Sequence, residues 1–93
     1  MSASGSENKP LLEYPTLYTF KALGLAGPLL RARVVAHVEK VLSLVVDPAQ
    51  VQVRPSTGGK YESVSVQTSL RSEDERRRVY EAFHADKELS WYV

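Results

Sequence analysis

Cysteine is absent from the chain, which excludes disulfides, thiolate metal sites and a cysteine nucleophile, and fits a reducing compartment such as the cytoplasm. Asparagine occurs once, at Asn8, and histidine twice, at His37 and His84. With no cysteine or third histidine to share a metal, the two histidines are expected in packing or surface roles, and neither a metal nor a cofactor is expected. An excess of either charge sign is missing too. Twelve Lys and Arg against eleven Asp and Glu give a net charge of +1, too small to steer the whole molecule onto nucleic acid or an anionic membrane. Apolar stretches such as Val41–Val46 fall far short of the roughly 20 residues that span a bilayer. Met1–Lys9 holds no apolar segment of the kind a secretory signal needs.

What is present fits one small domain. At 93 residues the chain has room for a single core, and a domain of this length buries only about 60 to 65% of its unfolded surface. Nearly every apolar residue in a regular element is therefore needed for packing. Residues 1–10 are polar and small enough to be expected as a disordered tail, leaving 11–93 as the domain.

Leu17–Leu23 alternates as a strand, with Tyr18, Phe20 and Ala22 on one side and Thr19 and Lys21 on the other. Gly24 and Gly27 punctuate it, and Pro28 suits the first turn of a helix. Val34, Val38, Val41 and Val45, with Leu42, form the apolar stripe of that helix, which Asp47 and Pro48 end. Val51 and Val53 alternate in a short strand stopping at Pro55. Gly58-Gly59 then turns a hairpin into a third strand, in which Val64, Val66, Thr68 and Leu70 alternate with Ser63, Ser65, Gln67 and Ser69. Ser72 and Glu75 signal the start of a second helix running to about Ala85, with Val79, Tyr80 and Phe83 inward. Leu89–Val93 closes as a strand. The order β-α-β-β-α-β predicts an α+β, ferredoxin-like sandwich: an antiparallel sheet of order 4-1-3-2 with both helices on one face.

The set Glu13-Tyr14-Pro15-Thr16, Tyr18-Thr19-Phe20-Lys21, Gly24, Arg54-Pro55-Ser56, Gly59, Tyr61 and Ser63-Val64-Ser65 resembles the YbeD-like family of small bacterial proteins. The likeness runs from about Leu12 to the C-terminus. It implies a fold similar to the ferredoxin-like regulatory domains, including the ACT type that bind small metabolites. It carries no catalytic residue, because the family's molecular function is unassigned.

Activities known on this fold fail on residues. A metal chaperone needs paired cysteines. Acylphosphatase-like hydrolysis needs an asparagine to orient water, and Asn8 stands in the tail. No spacing of Ser, His and Asp suggests a nucleophile with its base. Ser56-Thr57-Gly58-Gly59-Lys60 lacks the first glycine of a phosphate loop, and Tyr61 stands where that loop needs Ser or Thr, so it reads as a hairpin. The open-face positions of the two central strands, Thr19, Lys21, Ser63, Ser65 and Gln67, offer no aromatic platform for RNA. Arg76, Arg77 and Arg78 form a basic run, but Glu73 and Asp74 precede Arg77 and Arg78 by four residues, the favourable order for ion pairs on a solvated helix face.

The topology brings the exit of the first strand, Gly24–Pro28, to the same end as the Arg54–Tyr61 hairpin, where the first helix also exposes its N-terminus. A binding surface of Gly24, Gly27, Arg54, Ser56, Gly59, Lys60 and Tyr61 is expected there. The function expected is a non-enzymatic regulatory or binding module for a partner protein or a small anionic metabolite, acting as a monomer or weak homodimer. The competing class is a nucleic-acid binder using Arg76–Arg78, whose binding would weaken steeply with salt.

Overall fold

The computed structural model describes residues 12–93, so the tail expected at residues 1–10 lies outside them. Strand β1 spans Thr16–Leu25. Phe20 and Ala22 are fully buried while Thr19 and Lys21 are exposed, as the period of two requires. Helix α1 spans Leu30–Leu42 and buries Leu30, Val34, Val38 and Leu42, a stripe at four-residue spacing that lies along one helix face.

Two features of α1 differ from the sequence expectation. Pro28 lies in the turn before the helix, and Leu29 is the N-cap without a side-chain cap. The helix also ends at Leu42, short of Asp47. Ser43 takes a left-handed conformation, with φ 56°, and the Leu44 N–H returns to the Glu39 carbonyl at 3.3 Å, the 6→1 bond of a Schellman motif. Glu39 Oε2 then accepts the Val46 N–H at 2.8 Å. Val46 is thereby buried from an extended segment, whereas Val45 is 88% exposed and does not belong to the helical stripe.

A 3-10 turn at Pro48–Gln50, whose Ala49 N–H is held by the Asp47 carboxylate, leads into β2, Val51–Pro55. Gly58 and Gly59 take φ of 88° and 77°, a region open to glycine without steric penalty. They turn the chain into β3, Tyr61–Leu70. Helix α2, Glu73–Ala85, begins at Ser72, whose hydroxyl accepts the Glu75 N–H at 3.1 Å. The Glu75 carboxylate is almost buried and grips Arg71, accepting from its backbone N–H at 2.9 Å and from Nε at 2.8 Å. Arg71 Nη2 donates in turn to the Leu42 carbonyl at 3.1 Å, tying the start of α2 to the end of α1. Strand β4 is Leu89–Tyr92.

The four strands are ordered β2-β3-β1-β4, antiparallel throughout, which is the 4-1-3-2 order read from the other edge. Both helices cover the face carrying Phe20, Ala22, Val64, Val66 and Leu70, and with these Val34, Val38, Val79 and Phe83 make the core. No helix or strand among the described residues covers the opposite face. Its side chains follow from the register: Leu17, Thr19, Lys21, Leu23 and Leu25 from β1 stand opposite Ser69, Gln67, Ser65, Ser63 and Tyr61 of β3.

Candidate functional site

The predicted end of the sheet is assembled by one bond between segments distant in sequence. The Ala26 N–H donates to the Lys60 carbonyl at 2.9 Å, joining the exit of β1 to the hairpin, and Leu25 pairs with Tyr61. Gly24, Gly27, Arg54, Ser56, Gly59, Lys60 and Tyr61 are thus gathered at one end, but they do different things there.

Three of them serve the fold. A Cβ on Gly24 would lie 2.8 Å from Leu30 Cδ1 and 2.9 Å from the Glu88 carbonyl oxygen, so glycine permits α1 and the turn before β4 to close on β1. The Ser56 N–H donates to the Tyr61 carbonyl at 2.8 Å, its carbonyl accepts from Gly59 at 2.8 Å, and its hydroxyl accepts from Tyr61 N–H at 3.1 Å. Ser56 and Gly59 therefore close the hairpin. The remaining four are Gly27, which has open space around it, the exposed Arg54 and Lys60, and the half-buried Tyr61, with the Lys60 ammonium 5.6 Å from the centre of the Tyr61 ring.

Gly27 belongs to a separate cleft of about 270 Å³, lined by Leu25–Leu30, Arg33 and Glu88. It opens at the uncapped N-terminus of α1 but presents Arg33 and Glu88 with opposite charges. Arg54, Lys60 and Tyr61 are not part of it. They turn instead onto the uncovered face of the sheet, where Arg54 pairs with Ser63, Ser63 with Leu23, and Leu23 with Trp91. Lys21 and Val93 exchange both backbone hydrogen bonds, at 3.0 and 2.7 Å, so Val93 lies on the same face. Leu25, Trp91 and Val93 are 56, 55 and 51% exposed.

These apolar neighbours are what sequence reasoning missed. Between Leu23 and Gly24 the pairing with β4 shifts from Trp91 to Leu89, leaving Ser90 as the extra residue of a bulge. Leu89 and Tyr92, which strict alternation would send to opposite faces, both turn to the helical layer, while Trp91 turns outward. The one available signal was a tryptophan with no counterpart in the inward stripes of either helix.

The arginine run on α2 is engaged elsewhere. Arg76 donates to Glu73 at 2.8 Å and to the Tyr18 hydroxyl at 3.1 Å, and its guanidinium stands 5.5 Å from the Tyr18 and Tyr80 ring centres. The Tyr14 hydroxyl holds the other Glu73 oxygen at 2.7 Å. Arg77 bridges Asp74 and Glu81, and Arg78 lies 4.0 Å from Asp74. Glu73 thus pairs with Arg76, not with Arg77 as the four-residue spacing suggested, because Tyr14 and Tyr18 draw both partners toward β1. Burial, followed by the hydrogen bond with Tyr18, raises the pKa of the Tyr80 hydroxyl.

On the far side of the cleft, Asp86 Oδ2 accepts from Arg33 Nε and meets His37 Nε2, both at 2.7 Å, while Oδ1 accepts the Glu88 N–H at 2.9 Å. Burial works to raise the Asp86 pKa, but the hydrogen bonds from His37, Glu88 and Arg33 outweigh it and hold the group at about 2, against an ordinary 3.8. A carboxyl whose folded pKa is depressed stabilises the fold above its unfolded pKa, and that contribution fades as the pH falls from about 4 toward 2. Asp86→Asn should therefore cost about 1 to 2 kcal/mol at neutral pH, discounted for the half-exposed Arg33, and much less near pH 2. Urea unfolding of both proteins at the two pH values checks this. A gap that stays constant would show that the charge of Asp86 contributes nothing.

Among the described residues no group of three or more His, Cys, Asp or Glu could hold a metal ion, and no helix is long and apolar enough to cross a membrane.

Comparison with known proteins agrees with this architecture. The chain is similar to the solution structure of protein HP0495 from H. pylori, with a TM-score of 0.71 and 14% identity over 100% of this chain and 97% of that one, a likeness of fold. It is 37% identical over 73 residues to a UPF0250 protein of Erwinia tasmaniensis, covering 78% of this chain and 80% of the relative. It is also 37% identical over 71 residues to a UPF0250 protein of Yersinia pestis, covering 76% and 78%. None of these names carries an activity. With residues 9–93 matching the family described as "Protein of unknown function (DUF493)", the chain belongs to that family of small bacterial proteins, the YbeD-like family its motifs resemble.

Proposed function

We propose that this protein is a non-enzymatic binding module that recognises a partner protein at the hairpin end of its sheet. The observation that carries this reading is the Ala26–Lys60 bond, which fixes the exit of β1 against the hairpin, so that Leu25, Lys60 and Tyr61 share one end of the sheet with Arg54 of the neighbouring β2. Surface loops held by a scaffold are where binding residues concentrate. Neither Arg54 nor Lys60 has an ion-pair partner among the described residues, so their charge is available to a partner. A protein is favoured over a small anion because the two cations lie on an open face, apart from the cleft at the start of α1.

The test is charge reversal of both cations, Arg54→Glu with Lys60→Glu, in the full chain. Proteins retained from a native lysate by the immobilised wild type should fall at least about tenfold on the variant. Folding stability should change by less than about 1 kcal/mol, as expected for exposed charges. An unchanged set of retained proteins would remove the hairpin end as the recognition surface.

A further inference from the structure

The uncovered face of the sheet differs from the rest of the surface in two respects. Its charged strand residues, Lys21 and Arg54, are cations, the ammonium of Lys60 joins them over Tyr61, and no strand position on that face is acidic. Every ion pair among the described residues lies on the helical side, so these three charges have no ion-pair partner among those residues. Beside them stand Leu25, Trp91 and Val93, each more than half exposed, with Leu23 between. An exposed apolar patch of this kind marks an interaction surface, here with cations at the strand positions beside it and the carboxylate of Glu88 only at the cleft that Leu25 lines, and tryptophan is enriched among the residues that dominate binding energy.

Resting on the reading of the hairpin end as a protein-binding surface, we propose that the open face of the sheet docks an acidic segment of the partner. That segment would seat an apolar side chain against Trp91, Leu23 and Leu25 while its carboxylates meet Lys21, Arg54 and Lys60. From Arg54 on β2 to Trp91 on β4 the face is about 14 Å wide, three strand spacings, wide enough for a single helix of about 10–12 Å diameter.

Charge and composition choose this occupant. A second copy on the same face would bring three more cations and no acidic strand position to meet them. Single-stranded nucleic acid needs stacking aromatics in the middle of the platform. Here the middle is Thr19, Lys21, Ser63, Ser65 and Gln67, and the immediate neighbours of Trp91 are aliphatic.

Peptides selected from a random display library on the full wild-type chain provide the probe. The expected selection is rich in Asp and Glu around one or two of Leu, Ile or Phe. Titrated into isotope-labelled protein, such a peptide should shift the amides of Lys21, Leu23 and Tyr61 and the Trp91 indole N–H. Trp91→Ser should weaken its binding at least about 30-fold and Lys21→Glu about tenfold, with melting temperatures close to wild type because both side chains are exposed.

Selected peptides without acidic residues, shifts confined to the helical layer, or full binding by Trp91→Ser would overturn the proposal. So would tighter, steeply salt-dependent binding of oligothymidylate, which would indicate nucleic acid, or a wild-type dimer that Trp91→Ser converts to monomer, which would indicate a second copy. If reversal of Arg54 and Lys60 abolishes binding while Trp91→Ser does not, the hairpin end stands and the extension to Trp91 falls. If neither variant matters, both readings fall.

Discussion

Phe20→Ala should destabilise the protein by about 3 to 5 kcal/mol, a large part of the 5 to 15 kcal/mol that holds a typical domain together and that small domains approach from below. Phe20 is fully buried at the centre of β1, with ring centres of Tyr18, Tyr80 and Phe83 at 4.8, 5.3 and 6.1 Å, all in edge-on arrangements. Truncation leaves a cavity bounded by both the sheet and α2, and rigid walls on two sides limit how far it can collapse. Chemical unfolding of Phe20→Ala measures the loss, with Lys21→Ala, one residue on and facing solvent, expected within about 0.5 kcal/mol of wild type. A loss under about 1 kcal/mol at Phe20 would mean that the aromatic cluster is not the centre of the core.

Gly24→Ala should cost about 1 to 3 kcal/mol, the range for forcing extra volume into a packed site. Its φ is not positive, so the effect is steric and not conformational. The Leu30 methyl 2.8 Å from the added carbon can rotate away, but the Glu88 carbonyl at 2.9 Å belongs to the backbone turn that leads into β4. Moving it disturbs the bulge at Ser90 and with it the outward aim of Trp91. Thermal melting of Gly24→Ala decides the matter. A wild-type melting curve would show that the fold does not depend on the close approach at Gly24.

The two cases show why some residues of the expected surface could be assigned from sequence and others could not. Alternation placed Phe20 inward and Lys21 outward because a strand's side chains change face at every residue. The same rule could not place Trp91, since one bulged residue inverts the parity of everything beyond it. Gly24 was visible as a glycine, but whether it served a turn, a ligand or a close approach depended on Leu30 and Glu88, which only the folded chain brings to it.

The sequence by itself determined the order of elements, the inward faces of β1 and β3, the Gly58-Gly59 hairpin, the Ser72 cap, and the meeting of Gly24–Pro28 with Arg54–Tyr61. Each of these follows from local periodicity, turn chemistry or the chain direction that the topology imposes. Only the tertiary structure decided where α1 stops, because the valines beyond Leu42 continue its period and the end is set by Ser43 and by the grip of Glu39 on Val46. It alone turned Glu73 from Arg77 to Arg76, through Tyr14 and Tyr18 reaching across from the β1 segment. It also separated Gly27 from Arg54 and Lys60, and joined those cations to Trp91, because side chains from opposite ends of the chain share a face only once the strands between them have paired.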